Sequence, residues 1–226
     1  MKYLILFSTM LFFTLSGFGQ SVFGQSEKQT FESPNMKAII ATHKTIAILP
    51  IKVTISYKRL PKEFDAEGNR IEELKQGINI QEGMYTYLLR KAKNYTVTCQ
   101  DVQTTNILLK KAGIFDKLDE TLKDSICKIL KVDAVICASY AYEKTASEVG
   151  AIAKALLIPN IIAPFGRSRT IAPVASGLLI MNINDGKSGE LLWRFTKEMN
   201  EDLLSSANEM VERMMRKVAR NFPYEK

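Results

Sequence analysis

The side chains able to do acid–base, nucleophilic or metal chemistry are few in this sequence, and their spacing narrows what that chemistry can be. His43 is the only histidine, so a zinc site built on paired imidazoles is excluded. It follows Thr42 just before an apolar run, where a solvated or hydrogen-bonded ring is expected. A Cys–His nucleophile would need His43 to meet Cys127 or Cys137 in space. Four carboxylates, Asp65, Glu67, Glu72 and Glu73, crowd one charged stretch. A hydrolase would need two of them to converge in a cleft, and their spacing selects no pair. The apolar segment AILPIKVT lacks the glycines that let a backbone wrap phosphate. The chain therefore reads as a non-enzyme with no catalytic residue, no metal and no cofactor.

Cys99, Cys127 and Cys137 are an odd number of thiols. Cys127 sits beside Ile126 and Ile129 in a helical pattern and Cys137 in an apolar strand, so buried thiols are expected. A Cys99–Cys137 disulfide stays open, on condition that their strands are neighbours.

The elements that must position these residues belong to one ordinary domain: 226 residues, 46% hydrophobic and 24% charged, enough for a core and unlike a disordered chain. The first residues, MKYLILFSTMLFFTLSGFG, place Lys2 before an apolar run that ends in Gly17-Phe18-Gly19, the pattern of a cleavable export signal. The alternative is a membrane anchor, since the run approaches the ~20 residues that span a bilayer. No Cys follows the run, so a lipid anchor is not expected. Cleavage before Gln20 would remove Lys2 and lower the formal net charge of +7 by one, to +6. The basic residues are interspersed with acids along the chain, so a solvated surface is expected and nucleic acid is not a partner.

Residues 20–42 read as a flexible leader. His43 to Tyr57 is a long strand that Pro50 interrupts with a bulge or an unpaired edge. Lys58 to Gly77 is charged and broken by Pro61 and Gly68, hence a surface excursion. Asn79 and Glu82 have capping-box spacing and start a helix whose inner face is Ile80, Met84, Tyr87, Leu88 and Ala92. YTVTC (Tyr95 to Cys99) is a short strand; Asp101 caps a helix over Val102 to Ala112 that Gly113 ends. A third helix spans Asp119 to Leu130, with Leu122, Ile126, Ile129 and Leu130 inward. VDAVICASYAY is a strand buried on both faces at its start. Val174 to Asn184 and Glu190 to Lys197 form a hairpin whose turn uses Asp185, Gly186 and Gly189. Trp193 shares a face with Leu191 and Phe195, beneath a last helix over Asp202 to Asn221 that Pro223 stops. The order predicts a single α/β domain over 43–226: a mixed sheet of about five strands, helices on its faces, and a C-terminal hairpin plus helix.

Taken in order, TIAILPI, YTVTC, ILKVDAVICASY and NINDGKSGELLWRF resemble the curli-secretion-channel superfamily. Its relatives include outer-membrane activators of penicillin-binding proteins and the N-terminal domain of the Tol-Pal protein TolB. The resemblance covers His43 to Asn221 and is most specific at Val132 to Ile136 and at Asp185 to Trp193. It implies a non-enzymatic periplasmic α/β domain that acts through protein contacts, often at the outer membrane. Two positions depart from it: the lipid-bearing Cys is absent, and Ala138 stands where members often carry Gly.

One segment, 145–171, has no place in that frame. Between Val149 and Phe165 its only charge is Lys154, and Ile152, Leu156, Leu157, Ile161, Ile162 and Phe165 must be covered by something. The cover is the domain's own core, a protein partner or second copy, or a membrane. A barrel hairpin needs ~9–11 alternating residues per strand, which Pro159, Pro164 and the lack of alternation oppose. Peripheral contact, with Lys154, Arg167 and Arg169 at lipid head groups, is the better membrane reading. The function this supports is an exported envelope protein working by protein–protein contact. The alternatives are a component of an oligomeric secretion channel and a carboxylate-dependent hydrolase.

Overall fold

The structure, a computed structural model, describes residues 29–144, 174–202 and 207–226. The sheet is organised on β5 (Ala134–Lys144), which pairs antiparallel with β6 (Val174–Asp185) along one edge. Its other edge carries two parallel strands in succession, β2 (Thr45–Ile48) and β3 (Lys52–Tyr57). Ile48 is opposite Ile136 and Lys52 opposite Ser139, so one strand advances by one residue more than the other. The expected irregularity at Pro50 is therefore a bulge, formed where a residue without an N–H leaves the ladder. β7 (Leu191–Asp202) pairs with β6, β1 (Gln29–Glu32) with β7, and β4 (Thr98–Cys99) with β2. The result is a mixed, open sheet of seven strands, ordered β1-β7-β6-β5-β2-β4 with β3 beside β5.

Period-two alternation sends side chains to two helical layers. Ile46 and Ile48 face the larger core, where α2 (Ala66–Arg90) and α5 (Ala207–Ala219) contribute Ile80, Met84, Met214 and Val218. Ala47 and Leu49 face the smaller one, where α3 (Val102–Lys111) and α4 (Lys123–Leu130) contribute Leu109, Ile126 and Leu130. Trp193 and Phe195 are fully buried in the first layer, as the alternation of β7 requires. Asp101 caps α3 by accepting from the Thr104 N–H, and Gly113 follows it at φ +70°.

Several expectations need correction. The segment read as a leader contains β1 and a short helix α1 (Met36–Ile40), because β7 offers an edge that β1 pairs and the Ser33 N–H extends to the Leu192 carbonyl. The charged excursion is largely helix: α2 starts at Ala66, where Asp65 accepts from the Glu67 N–H. Asn79 lies inside that helix rather than capping it, and Ala92 is exposed in a 3₁₀ turn after it. The third helix begins at Lys123, and Leu122, at its N-cap, is 73% exposed. Only Thr98 and Cys99 of YTVTC pair in the sheet; Tyr95 instead bridges Glu225.

Candidate functional site

Among the described residues, the fold brings together His43, Asp185 and Tyr224, three side chains with chemical potential. His43 lies in the turn between α1 and β2, Asp185 ends β6, and Tyr224 follows α5. The His43 ring is 2% exposed and the Asp185 side chain 5%, and Tyr224 is fully buried. Nε2 of His43 is 3.0 Å from Asp185 Oδ1, and Nδ1 is 2.7 Å from the Tyr224 hydroxyl. The other carboxylate oxygen, Oδ2, accepts from the Lys187 N–H, the Ser188 N–H and the Ser188 hydroxyl at 3.1, 2.8 and 2.8 Å.

An ionised carboxylate only accepts, so Nε2–H donates to Asp185, and in the neutral ring Nδ1 accepts the Tyr224 O–H. Burial acts to raise the Asp185 carboxyl, but the Ser188 N–H and hydroxyl and the His43 ring outweigh it and hold the group below the usual carboxylate range. Burial, reinforced by Asp185 and Asp133, pushes the Tyr224 phenol far up. Asp133, just before β5, accepts from the Lys44 and Thr45 N–H groups at 2.8 and 2.9 Å. Those bonds lower its carboxyl against a burial effect of opposite sign.

An Asp–His–Tyr sequence of hydrogen bonds has the form of an acid–base relay. Here all three members are sealed in the core, so no substrate can reach the phenol at its end. The network instead ties three distant pieces of chain: the start of β2, the hairpin turn and the C-terminal segment. Gly186 N–H donates to the Asp133 carbonyl at 2.7 Å, and a Cβ there would lie 2.6 Å from that oxygen. Gly189, at φ +73°, closes the turn.

The other chemical candidates do not converge. Both His43 nitrogens are taken, so no Cys–His nucleophile forms. Glu67 pairs with Arg70 at 2.7 Å, Glu72 accepts from Gln76 at 2.9 Å, and Glu73 accepts from the Ile55 N–H at 2.8 Å. Among the described residues no group of three His, Cys, Asp or Glu side chains could hold a metal ion, and no helix is long and apolar enough to cross a membrane. The contact candidates Ile152, Lys154, Leu156, Leu157, Ile161, Ile162, Phe165, Arg167 and Arg169 lie outside the described residues.

The three thiols are free. β2 lies between β4 and β5, so Cys99 and Cys137 are not on neighbouring strands and the condition for their disulfide is not met. Burial pushes Cys99 and Cys127 up to about 12 and Cys137 up to about 11. Because the thiolate is the reactive form, an aromatic disulfide reagent at pH 8 should modify the native protein far more slowly than the denatured one. Denaturation should release three reactive thiols; one fast-reacting thiol in the native chain would contradict this.

The sequence reading named His43 and Asp185 separately and missed their partnership with Tyr224. The partners stand 142 and 181 residues from His43, and no local pattern links them.

No family model and no curated protein matches the chain. Solved structures share a general likeness. The lipoprotein GNA1162 from Neisseria meningitidis is 13% identical at a TM-score of 0.42, over 78% of this chain and 96% of that one. The PelC dodecamer from Paraburkholderia phytofirmans is 11% identical at a TM-score of 0.40, over 89% and 98%. The LpoB C-terminal domain from Salmonella enterica is 12% identical at a TM-score of 0.33, over 74% and 96%. At this level the likenesses assign neither a family nor a role to the chain, which stands on its own observed architecture: an open, mixed α/β sheet closed by a buried histidine network.

Proposed function

We propose that this chain is an exported, non-catalytic α/β domain that works in the cell envelope, in the periplasm or at the outer membrane, by contact with a protein partner or a second copy of itself. The observation that carries the non-catalytic part is the sealed His43 network. Among the described residues the one arrangement with the form of an acid–base relay is used to lock the fold, and Asp65, Glu67, Glu72 and Glu73 of the charged stretch are engaged in a cap, an ion pair and hydrogen bonds. Export is supported by the Met1 to Gly19 pattern, and the envelope by the resemblance of TIAILPI and NINDGKSGELLWRF to the curli-channel superfamily.

The contact surface in this reading is the apolar segment 149–165. Light scattering on the chain from Gln20 onward, alone and with anionic liposomes, tests it: self-association or liposome binding is expected to disappear in Leu157→Ser/Ile161→Ser while the melting temperature is kept. A loss of several degrees in that variant would mean that both residues fill the core and would remove the segment as the contact surface.

A further inference from the structure

The solvent side of α2 carries apolar side chains where charged ones are expected. Ile80, Met84 and Tyr87 fill the larger core from its inner face. Along one flank Gln81 exchanges amide hydrogen bonds with Asn106 of α3 at 3.1 and 3.0 Å. Along the other Gly83 approaches α5, where a Cβ would lie 3.0 Å from Cγ1 of Val211. Between those flanks Ile71, Leu74, Ile78 and Tyr85 follow at helical spacing and form one outward row. Ile71 and Leu74 are exposed, and Ile78 and Tyr85 are half-buried.

An outward apolar row marks a contact, and the charges beside it select the partner. Lys75 and Glu82 border the row on the same side, both exposed, and neither has an ion-pair partner in the chain among the described residues. A two-fold axis through Ile78 runs a second α2 antiparallel to the first. Ile78 then meets its own copy, and Ile71 comes level with Tyr85 of the second copy. Lys75 falls within one residue, about 1.5 Å of helix rise, of Glu82 of the second copy. The axis repeats each contact, so both charge pairs are opposite in sign. A parallel pairing would instead set Lys75 against Arg70 of the second copy, cation against cation.

We propose that the outward face of α2 is a self-association seam on which a second copy of the chain packs its own α2 antiparallel. The seam is separate from the apolar segment 149–165 and does not depend on the contact placed there. One helix face lies at the small end of protein interfaces, so the dimer is weak, forming in the micromolar to submillimolar range. The self-complementary charges give it orientation more than strength.

Sedimentation equilibrium on the full chain should show a monomer–dimer equilibrium that Lys75→Glu and Glu82→Lys each weaken at least tenfold, by placing like charges across the seam. An equimolar mixture of the two variants should regain the dimer at parental strength, because only the mixed pair brings opposite charges together again. A change in the folding of either variant would give no such rescue. Ile78→Glu, which sets two carboxylates face to face on the axis, should leave a monomer, and melting curves verify that each variant keeps the fold. The dimer should survive Leu157→Ser/Ile161→Ser, whereas larger species and liposome complexes that this variant abolishes report on 149–165. A chain that stays monomeric up to about 1 mM, association untouched by the single charge variants, a mixture no stronger than its components, or loss of the dimer in Leu157→Ser/Ile161→Ser would each overturn the seam.

Discussion

Gly77→Ala is expected to lower the melting temperature by roughly 6–12 °C, although removing a glycine from a solvated helix interior ordinarily stabilises by about 1 kcal/mol. Gly77 sits in the middle of α2 and is buried, and a Cβ there would lie 2.1 Å from the carbonyl oxygen of Ile51, with its carbon at 3.3 Å. That oxygen belongs to the backbone of the bulge between β2 and β3 and cannot swing aside like the end of a side chain. Either the helix lifts off the sheet or the bulge rearranges, and overpacking of this kind costs about 3 kcal/mol. Gly68→Ala is the control, because its Cβ would meet only the side chain of Asp65, nearest at Oδ2, 2.6 Å away. Thermal melting of both variants by circular dichroism checks the contrast; equal stability of Gly77→Ala and the parent would show that helix and bulge are not in contact.

The same glycine explains part of what was not legible in the sequence. In the sequence Gly77 ends the stretch read as a surface excursion, but its role is tertiary: it lets α2 approach the bulge at Pro50. The first turns of α2 also lack an apolar stripe, since Ile71 and Leu74 are 55% and 48% exposed. Those turns are held by the Asp65 cap, by Asn69–Glu73 and Glu72–Gln76 hydrogen bonds, and by the Glu73 carboxylate that receives the Ile55 N–H at the edge of β3. Where burial makes the periodicity, as in β5, the Trp193 hairpin and α3, element type was readable from spacing alone. Short pairings such as β1 are set by a partner strand far along the chain, and their own four residues are all exposed.

Asp185→Ala is expected to cost about 3 kcal/mol, because it removes a charged acceptor and leaves the buried His43 Nε2–H unsatisfied. His43 Nε2–H loses its partner at 3.0 Å, and the Lys187 and Ser188 N–H groups and the Ser188 hydroxyl lose theirs. Tyr224→Phe removes a single bond to Nδ1 and keeps the ring contacts with Phe222, so about 1 kcal/mol is expected. The two substitutions share His43, so the double variant should fall short of their sum by at least about 0.5 kcal/mol. Strict additivity in denaturant melts would show that the histidine transmits nothing between the turn and the C-terminal segment. Acid provides an independent check on the same carboxylate. Its folded pKa is depressed, so its contribution is fully present above the unfolded value of about 3.9. It is lost as pH falls through the lower folded value. Stability should therefore drop below about pH 4, and Asp185→Asn should flatten that limb without abolishing it. Asp133 is depressed in the same direction and holds the Lys44 and Thr45 amides beside His43, so it supplies part of the slope that remains.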